Sequence, residues 1–240
     1  MLVEVCCNSL ESAINAQSAG ADRIELCSEL GVGGITPSSG LIQQVQKHIN
    51  IPIHVLLRPR SGHFTYTDTE FEVMHKDIEV CIELGVDGIV SGALNSDNTI
   101  AIEKTKILIS KSKPLHFTFH RAFDWIDDQK KALLQLEELG IDTVLTSGKL
   151  GAAEDAINQL KELKRLSSRI TIMPGGGVNA ANISAFKKAE FKAIHFSGTS
   201  FVNQVDTSTK ITMNSKKHFA ENEVAVTNEK IVHQIVQLIK

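Results

Sequence analysis

Short β-branched runs alternate with longer stretches of helical periodicity along almost the whole chain. The apolar runs predict strands near 2–6, 22–27, 53–58, 87–91, 115–120, 142–146, 170–173 and 193–197. Between them, spacings of three and four predict helices near 9–19, 38–48, 68–84, 98–110, 127–138, 151–166, 179–187 and 228–239. Strands that alternate with helices imply right-handed crossovers and a parallel sheet. Eight such units of this length favour closure over an open sheet. The expected fold is α/β, a single-domain (β/α)₈ TIM barrel spanning 1–240.

A weak repeat supports this reading. Gly20-Ala21-Asp22 returns as Gly85-Val86-Asp87 and Gly140-Ile141-Asp142, each ending a helix and opening a strand. The stretch 199–226 breaks the rhythm, being rich in Ser, Thr, Asn and Lys. It is expected to be a long surface loop after strand eight, followed by a closing helix at 228–239.

Composition narrows the classes. The chain is 42% hydrophobic and 22% charged, with a formal net charge of -3. That suits a sizeable core and offers no basic face for nucleic acid. No apolar run approaches the roughly 18 residues of a membrane helix. Met1 leads directly into an apolar strand, so no signal peptide is expected. Four cysteines (Cys6, Cys7, Cys27 and Cys81) are too few to staple a chain of this size and read as reduced thiols.

Sites in such barrels lie at the C-terminal ends of the strands. Those ends carry Glu4, Cys6 and Cys7; Glu25 and Cys27; Arg58 and Arg60; and Thr118, His120 and Arg121. Farther along the order stand Ser147-Gly148, Pro174-Gly175-Gly176-Gly177 and His195-Phe196-Ser197-Gly198. Strand side chains alternate between interior and helix layer. Apolar Val5, Leu26, Leu57, Phe119 and Phe196 should face the helices, which turns Glu4, Cys6, Glu25, Cys27, Arg58 and His120 inward. Buried carboxylates need partners, and Arg58 and His120 are the expected ones. The same residues also suit a buried ion-pair network that only holds the barrel together.

Two chemistries fit this surface. Cu(I) prefers soft sulfur ligands. Cys6 and Cys27 share a parity on adjacent strands, and the strand end could turn Cys7 towards them. Met173, His120 or His195 could complete a site. Without a metal, Cys6 and Cys27 are equally suited to being small buried hydrophobes, and Cys81 reads as core. The second chemistry is organic. Gly175, Gly176 and Gly177 with Ser197 and Gly198 could offer backbone N–H groups to an anion, with Asn179 capping the next helix. Arg58 and Arg60 would add a fork for carboxylate or phosphate. Glu4, Glu25 and His120 could then move protons, as in an isomerase, epimerase or lyase. Lys149 lies one residue past a strand end, which disfavours Schiff-base chemistry. Arg121 and Asp124 read as a rim ion pair.

Several stretches read together. They are Glu4-Val5-Cys6, Gly20-Ala21-Asp22-Arg23-Ile24-Glu25-Leu26-Cys27, Gly33-Gly34-Ile35-Thr36-Pro37-Ser38 and Arg58-Pro59-Arg60. With them go Thr118-Phe119-His120-Arg121-Ala122-Phe123-Asp124, Leu145-Thr146-Ser147-Gly148, Pro174-Gly175-Gly176-Gly177-Val178 and His195-Phe196-Ser197. This set closely resembles the CutC copper-homeostasis family over nearly the whole chain. The resemblance implies a TIM barrel, a cytoplasmic location, copper binding and assembly into homo-oligomers. Two positions depart from the family pattern. Gly62-His63-Phe64 replaces Gly-Asp-Phe, which removes a rim carboxylate and adds a candidate ligand. Ser197-Gly198 replaces Ser-Ala.

Overall fold

Alternate positions of each strand go to opposite layers, and this builds the architecture. In β1 (Leu2–Cys7), Val3, Val5 and Cys7 join the large apolar core beneath the helices, while Glu4 and Cys6 turn into the barrel. Leu26, Leu57, Phe119 and Phe196 also lie in that helix-side core, as their parity requires. The computed structural model describes residues 1–211, 213 and 221–240.

The remaining barrel strands are β2 (Arg23–Leu26), β3 (Ile53–Leu56), β4 (Gly88–Ser91), β5 (His116–Phe119), β6 (Thr143–Thr146), β7 (Thr171–Pro174) and β8 (Ala193–Phe196). All neighbouring pairs run parallel, in the order β7-β6-β5-β4-β3-β2-β1-β8. A single bridge between Gly175 and His195 draws β7 and β8 together at the remaining seam. The helices are α1 (Leu10–Ser18), α2 (Ser39–His48), α3 (Asp68–Leu84), α4 (Ile102–Ser112), α5 (Gln129–Leu139), α6 (Ile157–Leu166), α7 (Ile183–Lys188) and α8 (Glu229–Ile239). Their starts are chemically marked. Ser9, Ser38 and Asp128 accept hydrogen bonds from the first turns of α1, α2 and α5, and Thr67 with Glu70 forms a capping box on α3. The Gly-x-Asp repeat performs its expected job: Gly85 and Gly140 end helices in the left-handed region, and the Asp22, Asp87 and Asp142 carboxylates accept strand N–H groups of Val3, Ile53 and Phe117.

Two expectations change. The segment after strand eight is not simply a loop. It opens with β9 (Thr199–Asn203) and closes with β10 (Glu223–Thr227), paired antiparallel. Residues 212 and 214–220, within the expected loop, lie outside the described residues. The ribbon docks on α1 and the turn before it: the Asn8 and Asn15 side-chain amides donate to the Ala225 and Thr227 carbonyls, and the Thr227 N–H donates to Ser12. The second change concerns helix starts. α4 begins at Ile102, not near 98, and α6 at Ile157, not near 151. α7 begins at Ile183, not near 179, because Asn179 folds a separate turn by accepting from the Ala181 N–H.

Candidate functional site

Register sets the interior chemistry. Glu4 on β1 stands beside Arg23 on β2 and His195 on β8, and Cys6 stands beside Glu25. The Glu4 carboxylate is fully enclosed. It accepts from Arg23 Nε at 2.5 Å through Oε2 and contacts His195 Nδ1 at 2.7 Å through Oε1. Arg23 also lies 3.7 Å from the Met173 sulfur. Burial alone would raise the Glu4 pKa, but the hydrogen bond to His195 and the charge of Arg23 outweigh it and bring it to about 2. His195 moves the other way: burial disfavours its cation, yet Glu25 and then Glu4 raise its pKa.

This corrects the expected pairing. The carboxylate of Glu4 is met by Arg23 and His195, not by Arg58 and His120. A buried carboxylate held that low is a poor general base near neutral pH, so Glu4 is better described as the ion that fixes His195. His195 was legible at its strand end, whereas Arg23 was missed. Arg23 shares the face of Glu25, but it stands at the start of its strand rather than at the end where a site is sought.

Just above, Cys6 and Cys27 face each other with sulfurs 3.7 Å apart. Cys6 also reaches Glu25 Oε1 at 3.5 Å. One ligand atom each from Cys6, Glu25 and His195 lie within 4.8 Å of one another. Because Nδ1 of His195 is engaged by Glu4, its Nε2 is the nitrogen left for another partner. Glu25 Oε2 is buried with no hydrogen-bond partner. Burial, and then the charge of Glu4, raise the Glu25 pKa. Contact with Cys27, then burial, pushes the Cys6 thiol well up.

Cys7 does not join this group. It is fully buried on the helix side of β1, its sulfur 3.6 Å from the Val5 carbonyl, because the strand continues straight through it. Cys81 sits in the same core, as expected.

The group opens into a cavity of about 310 Å³ at the barrel mouth. Its wall includes Cys6, Glu25, Arg58, His120, Arg121, Gly176, Gly177, His195 and Ser197. Arg58 is buried and donates to the carbonyls of Val32 (2.8 Å), Gly34 (2.9 Å) and Gly62 (2.6 Å). Its guanidinium lies 5.0 Å from the Phe64 ring centre. His120 also packs against Phe64, with ring centres 4.9 Å apart.

Other expected site residues stand elsewhere. Arg60 grips Glu70 at 2.5 Å and the carbonyls of its own loop, outside the cavity wall. His63 receives the Thr65 N–H and is exposed. Gly175 is occupied by the seam with His195, and Gly198 is backed by Val232 of α8. Lys149 pairs with Asp127. The rim pair does form, with Arg121 donating to Asp124 at 2.8 Å. Asp124 then accepts from Thr146 and Ser147, tying the end of β5 to that of β6.

The family model described as CutC family matches residues 1–200. The chain belongs to the CutC family. A human protein named copper homeostasis protein cutC homolog is 47% identical over 76% of this chain and 67% of its own length. A Bacteroides fragilis CutC is 41% identical over 99% of this chain and 97% of its own. The crystal structure of a putative copper homeostasis protein CutC from Streptococcus agalactiae superposes with a TM-score of 0.78 at 36% identity, covering 82% of this chain and 98% of that one. A thiamine phosphate pyrophosphorylase from Pyrococcus furiosus reaches a TM-score of 0.59 at 13% identity, a likeness of fold alone. The family match ends just after β9 begins, so most of the ribbon and α8 lie beyond it.

Proposed function

We propose that this CutC-family chain binds Cu(I) at the inner mouth of the barrel and serves copper homeostasis. The observation that carries the reading is the pair of facing thiols, Cys6 and Cys27, 3.7 Å apart. Soft sulfur donors select Cu(I). The neighbours suit a cation as well: Glu25 presents a buried oxygen without a partner, and His195 is adjacent. Cys6 and Cys27 would hold the ion, with Glu25 and His195 beside it. Glu4 and Arg23 fix the His195 ring from below, the supporting role that carboxylates commonly play behind a ligand histidine. The curated human relative is named for copper homeostasis, which supports the same reading.

A cytoplasmic setting agrees with four free cysteines, since reduced thiols persist there. No helix among the described residues is long and apolar enough to cross a membrane. Self-association carries over from the family resemblance and is tested by solution mass measurement.

Anaerobic titration with Cu(I) against a chromophoric chelator tests the assignment. One tightly held ion per chain is expected, lost in Cys6→Ser/Cys27→Ser and kept in Cys7→Ala. Uptake unchanged in the double variant would overturn it.

A further inference from the structure

Three arginines stand near the mouth, and two have acidic partners: Arg60 has Glu70 and Arg121 has Asp124. Arg58 has none among the described residues. Its NH groups are held by carbonyls and the guanidinium lies against the Tyr66 hydroxyl, groups that carry no charge. A buried cation with no counter-ion is costly to keep. His120 repeats the pattern. Its Nδ1 accepts the Ala122 N–H at 3.3 Å, which places the proton of the neutral ring on Nε2. That Nε2 is buried with no acceptor. Burial, then the charge of Arg58, depress the His120 pKa to about 3 and keep the ring neutral.

Both side chains line one cavity and flank the same Phe64 ring. That corner therefore holds a positive charge without a carboxylate partner and, at His120 Nε2, an N–H donor without an acceptor among the described residues. We propose that the mouth cavity binds a small organic carboxylate through Arg58 and His120, at a subsite separate from the thiol pair. A carboxylate is an acceptor with a single charge, which matches the charge of Arg58 and the open donor of His120. A phosphate dianion would carry more charge than Arg58 offsets, since Arg121 of the same wall already pairs with Asp124, and it would add to the Glu25 carboxyl of that wall. Leu30, Leu56 and Leu145 supply apolar wall for a short carbon body.

Isothermal titration of metal-free protein with acetate, propanoate, benzoate and inorganic phosphate tests this. One saturable site is expected for at least one carboxylate, tighter than for phosphate. Loss of a charge-assisted hydrogen bond should weaken it by about tenfold or more. Arg58→Lys tests the guanidinium. Because Arg58 also anchors three carbonyls, His120→Phe provides a second variant that keeps an aromatic ring in place while removing the donor. Thermal unfolding confirms that each variant is folded. Because the titration uses metal-free protein, its result stands apart from the copper assignment. The proposal is overturned by no saturable binding at millimolar carboxylate, by phosphate binding as tightly as any carboxylate, or by wild-type affinity in folded His120→Phe.

Discussion

At the scale of single residues, Glu4 is the point on which the interior turns. Its folded pKa of about 2 lies below the ordinary value of 4.5, so its contribution to stability is present above about pH 4.5 and is lost as pH falls towards 2. Glu4→Gln leaves Arg23 buried without its charge partner, a change of the kind that costs about 3–5 kcal/mol. Urea unfolding should show that deficit near neutral pH and a gap between variant and wild type that narrows on the acid side. A constant gap from neutral pH down to pH 2 would refute the ionised role. The thiols were visible in the sequence by parity alone. The partner of Glu4 was not, because Arg23 belongs to the lower layer of the barrel, where strand ends give no hint. Cys7 was misplaced for a simpler reason: β1 runs one residue farther than its apolar pattern suggests, which keeps Cys7 on the helix side.

At the scale of elements, strands and helices were legible because period-two and helical apolar patterns alternate steadily from β1 to β8. Capping residues mark several of the true starts. Thr67→Ala removes the reciprocal cap of α3 and should cost about 1 kcal/mol, read as a lowered urea midpoint with unchanged slope. Close approaches between strands were not legible. A Cβ on Gly88 would lie 2.5 Å from the His54 ring, which fills the barrel beside it. Gly88→Ala should therefore destabilise by about 1–3 kcal/mol through overpacking. A neutral effect would show that the His54 ring has room to move. The ribbon of β9 and β10 escaped the sequence reading because the polar segment between its short strands dominates the composition of 199–226. Its hold comes from side-chain amides of Asn8, just before α1, and Asn15, on α1, which only the folded chain brings near.

At the scale of the molecule, one seam and one mouth stand close together. Gly175 bridges to His195, the residue that links Glu4 to the thiol group. A Cβ at Gly175 would meet Leu145 at 2.5 Å and His195 at 3.3 Å. Gly175→Ala should thus disturb closure and the site together, lowering both thermal midpoint and Cu(I) affinity; a loss of stability alone would uncouple them. The whole barrel was foreseeable from its eight-fold rhythm. The division of its mouth into a thiol side and an arginine–histidine side was not, because it depends on which buried atoms remain without partners. Whether sulfur holds the metal is read by X-ray absorption at the copper edge of Cu(I)-loaded protein. Sulfur scatterers around the copper that vanish in Cys6→Ser/Cys27→Ser are predicted; a copper environment of nitrogen and oxygen alone in the wild-type protein would contradict it.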